Sequence, residues 1–127
     1  MIIKSLRNTA GFRAGDASFL QELLHPAKES LDIDYSLAHA VVGPGEKTLP
    51  HRLKSAEVYF ILAGRGLMRI GDEQAEIETG QAVYIPPGEI QSIENIGAAE
   101  LSFLCIVDPA WRAADEEVLK GPSRSSA

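Results

Sequence analysis

The sequence of 127 residues predicts an all-β fold, closed into a sandwich or barrel. Three observations point there. Runs rich in β-branched and aromatic residues recur at about 18–24, 34–42, 57–63, 66–70, 74–78, 82–86, 90–95 and 100–107. Glycine and proline punctuate these runs, and frequent corners between short strands are the pattern of sandwiches and barrels. Helical spacing is confined to one stretch beyond Asp108.

Taken in chain order, run 18–24 reads as a strand or, because Gln21-Glu22-Leu23-Leu24 has good helix propensity, as a helical turn. Run 34–42 ends at Gly43-Pro44-Gly45, a sharp corner. In Glu57-Val58-Tyr59-Phe60-Ile61-Leu62, period two sends Glu57, Tyr59 and Ile61 to one face and Val58, Phe60 and Leu62 to the other. Both faces are apolar beyond Glu57, so this strand calls for a core on one side and a cover on the other. A second subunit is the preferred cover, giving a homodimer; a terminal segment of the same chain is the alternative. Gly71-Asp72 predicts a two-residue hairpin turn, and Pro86-Pro87-Gly88 marks another corner. Asp108-Pro109 reads as an N-cap with proline at the first helical position, and Trp111, Ala114 and Val118 follow at helical spacing. They predict a short C-terminal helix whose Asp115, Glu116 and Glu117 face solvent. The stretch 121–127 predicts a disordered tail, leaving 1–120 as the domain.

Size and charge narrow the function classes. At 127 residues and 45 % hydrophobic content the chain supports one core, not two. The longest strongly apolar stretch, Val58 to Ala63, is far short of the roughly 18 residues a spanning helix needs. The N-terminus lacks the continuous apolar core of a secretory signal, and the lone Cys105 fits a reducing compartment, so the cytoplasm is the expected location. A net charge of −6 with scattered Lys and Arg argues against nucleic acid as a partner.

Two glycine-anchored patterns carry the chemistry. The first is Gly45, five residues, His51, one residue, Leu53, three residues, Glu57, six residues, Gly64. The second is Gly80, five residues, Pro86, one residue, Gly88, two residues, Gln91, three residues, Asn95. At these residues the sequence resembles the cupin superfamily, whose motifs are G-x5-H-x-H-x3,4-E-x6-G and G-x5-P-x-G-x2-H-x3-N. Eight of the ten motif positions match, and the 15 residues from Arg65 to Thr79 resemble the short intermotif segment of compact, single-domain members. The resemblance covers about residues 34–107. It implies a double-stranded β-helix, or jelly-roll conserved barrel, often dimeric, with a divalent metal held inside by three histidines and a glutamate. Such barrels serve oxygenases, isomerases, epimerases and ligand-binding modules, so the fold does not name a reaction.

The two departures both fall on metal-ligand histidines, where Leu53 and Gln91 stand instead. The resemblance then leaves His51, Glu57 and Gln91 as a degenerate set for Mn, Fe or another hard cation. His25 and His39 are candidate replacement ligands, though each has an ordinary structural explanation at a strand end or on an outer face. Without a metal, Glu57 inside an apolar barrel should have a raised pKa and serve as a general base with His51 beside it. Leu53, Tyr59, Gln91, Phe103 and Cys105 are the candidate ligand-binding residues. The leading expectation is a barrel that binds a small polar metabolite. As an enzyme it would run metal-assisted oxygen or enolate chemistry, or Glu57-driven proton transfer of the isomerase type; the competing class is a non-catalytic binding cupin that has lost its metal.

Overall fold

The computed structural model describes residues 1–119. The stretch expected as a disordered tail, 121–127, lies outside them. Eleven strands form two antiparallel sheets: β1 (Phe12–Arg13), β2 (Phe19–Leu24), β3 (Ser36–Val42), β4 (His51–Leu53), β5 (Ala56–Ala63), β6 (Arg65–Ile70), β7 (Glu73–Glu78), β8 (Ala82–Ile85), β9 (Gln91–Asn95), β10 (Leu101–Asp108) and β11 (Glu116–Val118). One sheet runs β1-β2-β3-β10-β5-β8 and the other β11-β4-β9-β6-β7. Among the described residues no helix is long and apolar enough to cross a membrane.

Alternation along the strands builds the core. In β10, Leu101, Phe103, Cys105 and Val107 are buried while Ser102, Leu104 and Ile106 are not; in β5 the buried set is Glu57, Tyr59 and Ile61. These inward faces meet Met68, Ile77, Ile85 and Ile93 from neighbouring strands in one apolar cluster. Each such side chain contributes roughly 1.5–3 kcal/mol by leaving water. Two glycines set the corners. Gly71 takes φ of +57° in the two-residue β6–β7 turn, as a primed hairpin turn requires. Gly64 has φ of +93°, and a Cβ there would come within 2.7 Å of the Glu100 carbonyl oxygen. The buried Asn95 seals the same end: its Nδ2 donates to the carbonyls of Val42 and Ala99, and its Oδ1 accepts from Gly97 N–H.

One sequence expectation is corrected. The C-terminal helix is absent; a 3-10 turn at Ala113–Asp115 leads into β11 instead. Pairing explains the choice: β11 fills the open edge of β4, with Glu116 opposite Leu53, Glu117 opposite Arg52 and Val118 opposite His51. An Arg52–Glu117 ion pair at 2.7 Å adds to it. Ladder hydrogen bonds to an otherwise unpaired strand outweigh a weak local helical pattern. The outer face of β5 is open among the described residues, where Phe60 and Leu62 are each 40 % exposed. Run 18–24 settles as strand β2, paired to β3 from Phe19 to Leu24.

Candidate functional site

Beyond the apolar cluster the barrel holds a cavity of about 170 Å³ between the two sheets. His51, Leu53, Glu57, Tyr59, Phe103 and Cys105 line it. Period two explains why: His51 and Leu53 share the inward face of β4, and Glu57 and Tyr59 that of β5. Leu53 is 5 % exposed and contributes an apolar wall.

Gln91 behaves differently from expectation. It is buried on β9, opposite His51, and does not line the cavity. Its Oε1 accepts from Tyr59 Oη–H at 2.8 Å, and its Nε2 donates to Glu57 Oε1 at 2.8 Å. Because Tyr59 and Glu57 are two residues apart on β5, this amide bridges them and ties one sheet to the other. Tyr59 in turn packs on Phe103 with ring centroids 4.4 Å apart.

Glu57 is 6 % exposed, and its carboxyl pKa is pushed up to about 8. Burial is the main cause; the Gln91 hydrogen bond pulls the other way, and Asp16 and Glu116 push it further up. Its second oxygen, Oε2, makes no hydrogen bond among the described residues. His51 is 2 % exposed, and its Nδ1 lies 2.9 Å from the Leu49 carbonyl oxygen. A carbonyl can only accept, so Nδ1 carries the hydrogen and Nε2 of the neutral ring keeps a free lone pair. Asp16 Oδ2 lies 3.7 Å from Nε2, beyond hydrogen-bond reach.

The sequence reading missed three cavity carboxylates: Glu22, which pairs with Lys28, and Asp16 and Glu116. Asp16 sits in the β1–β2 loop, where its Oδ1 accepts from Ser18 N–H and Oγ–H, and where Leu49 N–H binds its main-chain carbonyl. The adjacent Ala17 takes φ of +79°, a left-handed conformation that disfavours a side chain. An Asp-x-Ser turn was the only local signal for it. Glu116, expected to face solvent, is half-buried and lines the cavity from β11. Burial raises its carboxyl pKa, the His51 ring lowers it, Asp16 raises it and the Trp111 side chain lowers it. Cys105 and Tyr59 are both pushed well above their usual ranges, chiefly by burial, so thiol and phenol keep their hydrogens.

His25 and His39 are no replacement ligands. His25 is held at both nitrogens, by the Trp111 carbonyl at 2.7 Å and by Ala27 N–H at 3.1 Å. His39 lies on the outer face of β3, between Gln21 and Leu104 on the flanking strands. The donor set expected for a metal does not fit one. Among the described residues no group of three His, Cys, Asp or Glu stands close enough to share an ion. Gln91 has spent both ends of its amide on Tyr59 and Glu57, and Leu53 offers no donor beside His51.

Comparison with known proteins places this geometry. The sequence model of the Cupin domain matches residues 38–107. An uncharacterised protein of Methanocaldococcus jannaschii is 43 % identical over 106 residues, covering 83 % of this chain and 84 % of that one. An oxalate-binding protein of Thermotoga maritima is 32 % identical over 65 residues, 50 % of this chain and 54 % of the relative. Among solved structures, the polyketide cyclase RemF of Streptomyces resistomycificus superposes with a TM-score of 0.78 at 17 % identity, over 96 % of this chain and 87 % of that one, which is a likeness of fold. With each of its two motifs running from one sheet to the other and more than half its length matched, the chain belongs to the cupin family.

Proposed function

We propose that this cupin binds a small polar metabolite in its barrel and exchanges protons with it through Glu57 and His51, without a metal. One observation carries the reading: a buried carboxyl that holds its proton at neutral pH offers one free oxygen to a cavity that also receives a free imidazole nitrogen. A molecule seated there takes a proton from Glu57 Oε2 while His51 Nε2 removes one from it. The molecule's proton count is unchanged, which is the balance of an isomerisation or epimerisation. The apolar wall of Leu53, Phe103 and Cys105 keeps water scarce and strengthens both interactions. The oxalate-binding relative supports a small polar ligand in a barrel of this kind. The metal-dependent oxygenase reading has less support, because Gln91 and Leu53 provide no ligand.

Leu53 on the cavity wall favours a second reading, a binding cupin without catalysis. Nuclear magnetic resonance in deuterated water separates the two. Small polar metabolites are screened for binding, and each binder is followed for exchange of its C–H hydrogens. Exchange in the wild type that stops in Glu57→Gln supports proton transfer. Binding with no exchange selects the binding module. Stoichiometric Mn or Fe in the purified protein, lost in Glu57→Ala, overturns the metal-free site. The proposal also includes a cytoplasmic homodimer across the exposed outer face of β5, where Phe60 and Leu62 await a cover.

A further inference from the structure

Beside the protonated Glu57, the cavity lining holds the carboxylates of Asp16 and Glu116 and the ring of His51. Asp16 lines the cavity from the β1–β2 loop and Glu116 from β11, and they are close neighbours: a Cβ built on Gly15, beside Asp16, would lie 3.8 Å from Glu116 Oε1. His51 Nε2, on a ring that is 2 % exposed, points into the same space with no hydrogen-bond partner. No Lys or Arg among the described residues lies within ion-pair distance of Asp16 or Glu116; Asp16 has only the 3.7 Å approach of His51. The two cations on the cavity lining are exposed and committed elsewhere, Arg13 donating to the Ala17 carbonyl and Lys28 pairing with Glu22. Two carboxylates around one hollow, neither paired with a Lys or Arg, favour a donor-rich positive ligand. Trp111 also lines the hollow and offers an aromatic surface of the kind that attracts cations.

We infer that the ligand of this cavity is a small organic cation, an ammonium or amidinium group seated among Asp16, Glu116 and His51 with the Trp111 ring beside it. This rests on the barrel being the ligand site and adds the charge class of the ligand. It separates this protein from its oxalate-binding relative: a dicarboxylate would meet two like charges, with no Lys or Arg turned inward to hold it.

The test titrates the intact protein with methylammonium, guanidinium, oxalate and erythritol at matched ionic strength, reading the ring signals of His51 by magnetic resonance. Methylammonium or guanidinium should shift His51 with saturable binding that weakens about tenfold in Glu116→Gln and in Asp16→Asn. Glu116→Gln alone suffices if Asp16→Asn, which touches the β1–β2 loop, fails to fold by its melting curve. Cation binding that is equally tight in Glu116→Gln overturns the inference. Saturable binding of oxalate or erythritol with none of either cation also overturns it, while leaving the barrel as the ligand site. If no probe moves His51 and metabolite screening finds no binder, the cation inference and the proposed function fall together.

Discussion

Replacing Glu57 with glutamine should stabilise the protein, and by an amount the site itself fixes. In the unfolded chain the carboxyl titrates near 4.5, whereas in the barrel it titrates near 8. Between those values the folded state keeps a proton that the unfolded state releases, so stability falls as pH rises from 4.5 towards 8 and levels off above. The slope is about 1.4 kcal/mol per pH unit, which at pH 7 amounts to about 3 kcal/mol of lost stability. Glutamine has the same shape, carries no titrating proton, and still offers an oxygen to Gln91 Nε2. Glu57→Gln should therefore gain about 3 kcal/mol at pH 7, roughly 10 °C in Tm, and almost nothing at pH 4.5. Urea unfolding of both proteins at several pH values reads the difference directly. Other groups tilt the absolute curves: Glu116, raised, in the same direction, and His39, lowered chiefly by burial, in the opposite one below its ordinary range. Both are present in each protein and cancel in the comparison. A difference that does not change with pH, or a Glu57→Gln protein less stable than wild type at pH 7, would refute a neutral, buried Glu57.

Three further outcomes follow from the same contacts. Gln91→Ala strands the Tyr59 hydroxyl and removes the hydrogen bond that Glu57 Oε1 receives among the described residues, so chemical unfolding should show a loss of about 2–4 kcal/mol, while Gln91→Glu puts a second buried carboxyl beside Glu57 and should fall further below wild type as pH rises above the ordinary carboxylate range. Restoring the family's histidines in a Leu53→His, Gln91→His double variant should create a melting-temperature response to Ni or Mn that the wild type lacks, because inward donors then flank His51. Phe60→Glu should convert a dimer to a monomer by sedimentation without lowering the monomer's helix-free circular dichroism signal, since the side chain is 40 % exposed in the single chain.

The strands that were legible in the sequence are the ones whose burial follows a local period. Alternation in Glu57–Ile61 and Leu101–Val107, with Gly71 and Gly64 at the corners, suffices to outline β5, β6, β7 and β10. The short strands β1 and β11 escaped because two or three residues carry no usable period; only their partners across the sheet make them strands. Glu116 shows the cost at the site. Read along a helix it is one of three solvated acids, but read as a strand residue opposite Leu53 it turns into the cavity. His51 and Glu57 were legible from motif spacing, whereas the role of Gln91 was not. Spacing places a residue on a face, yet only the neighbours, Tyr59 and Glu57, decide that its amide bridges two sheets.

The sharpest test is the protonation of one carboxyl. With carbon-13 placed at the glutamate side-chain carboxyl carbon and Glu57→Gln used to assign the signal, titration should show Glu57 still protonated at pH 7, with its midpoint near 8. A midpoint in the ordinary range near 4.5 would contradict the account, because a Glu57 already ionised at neutral pH has no proton to give.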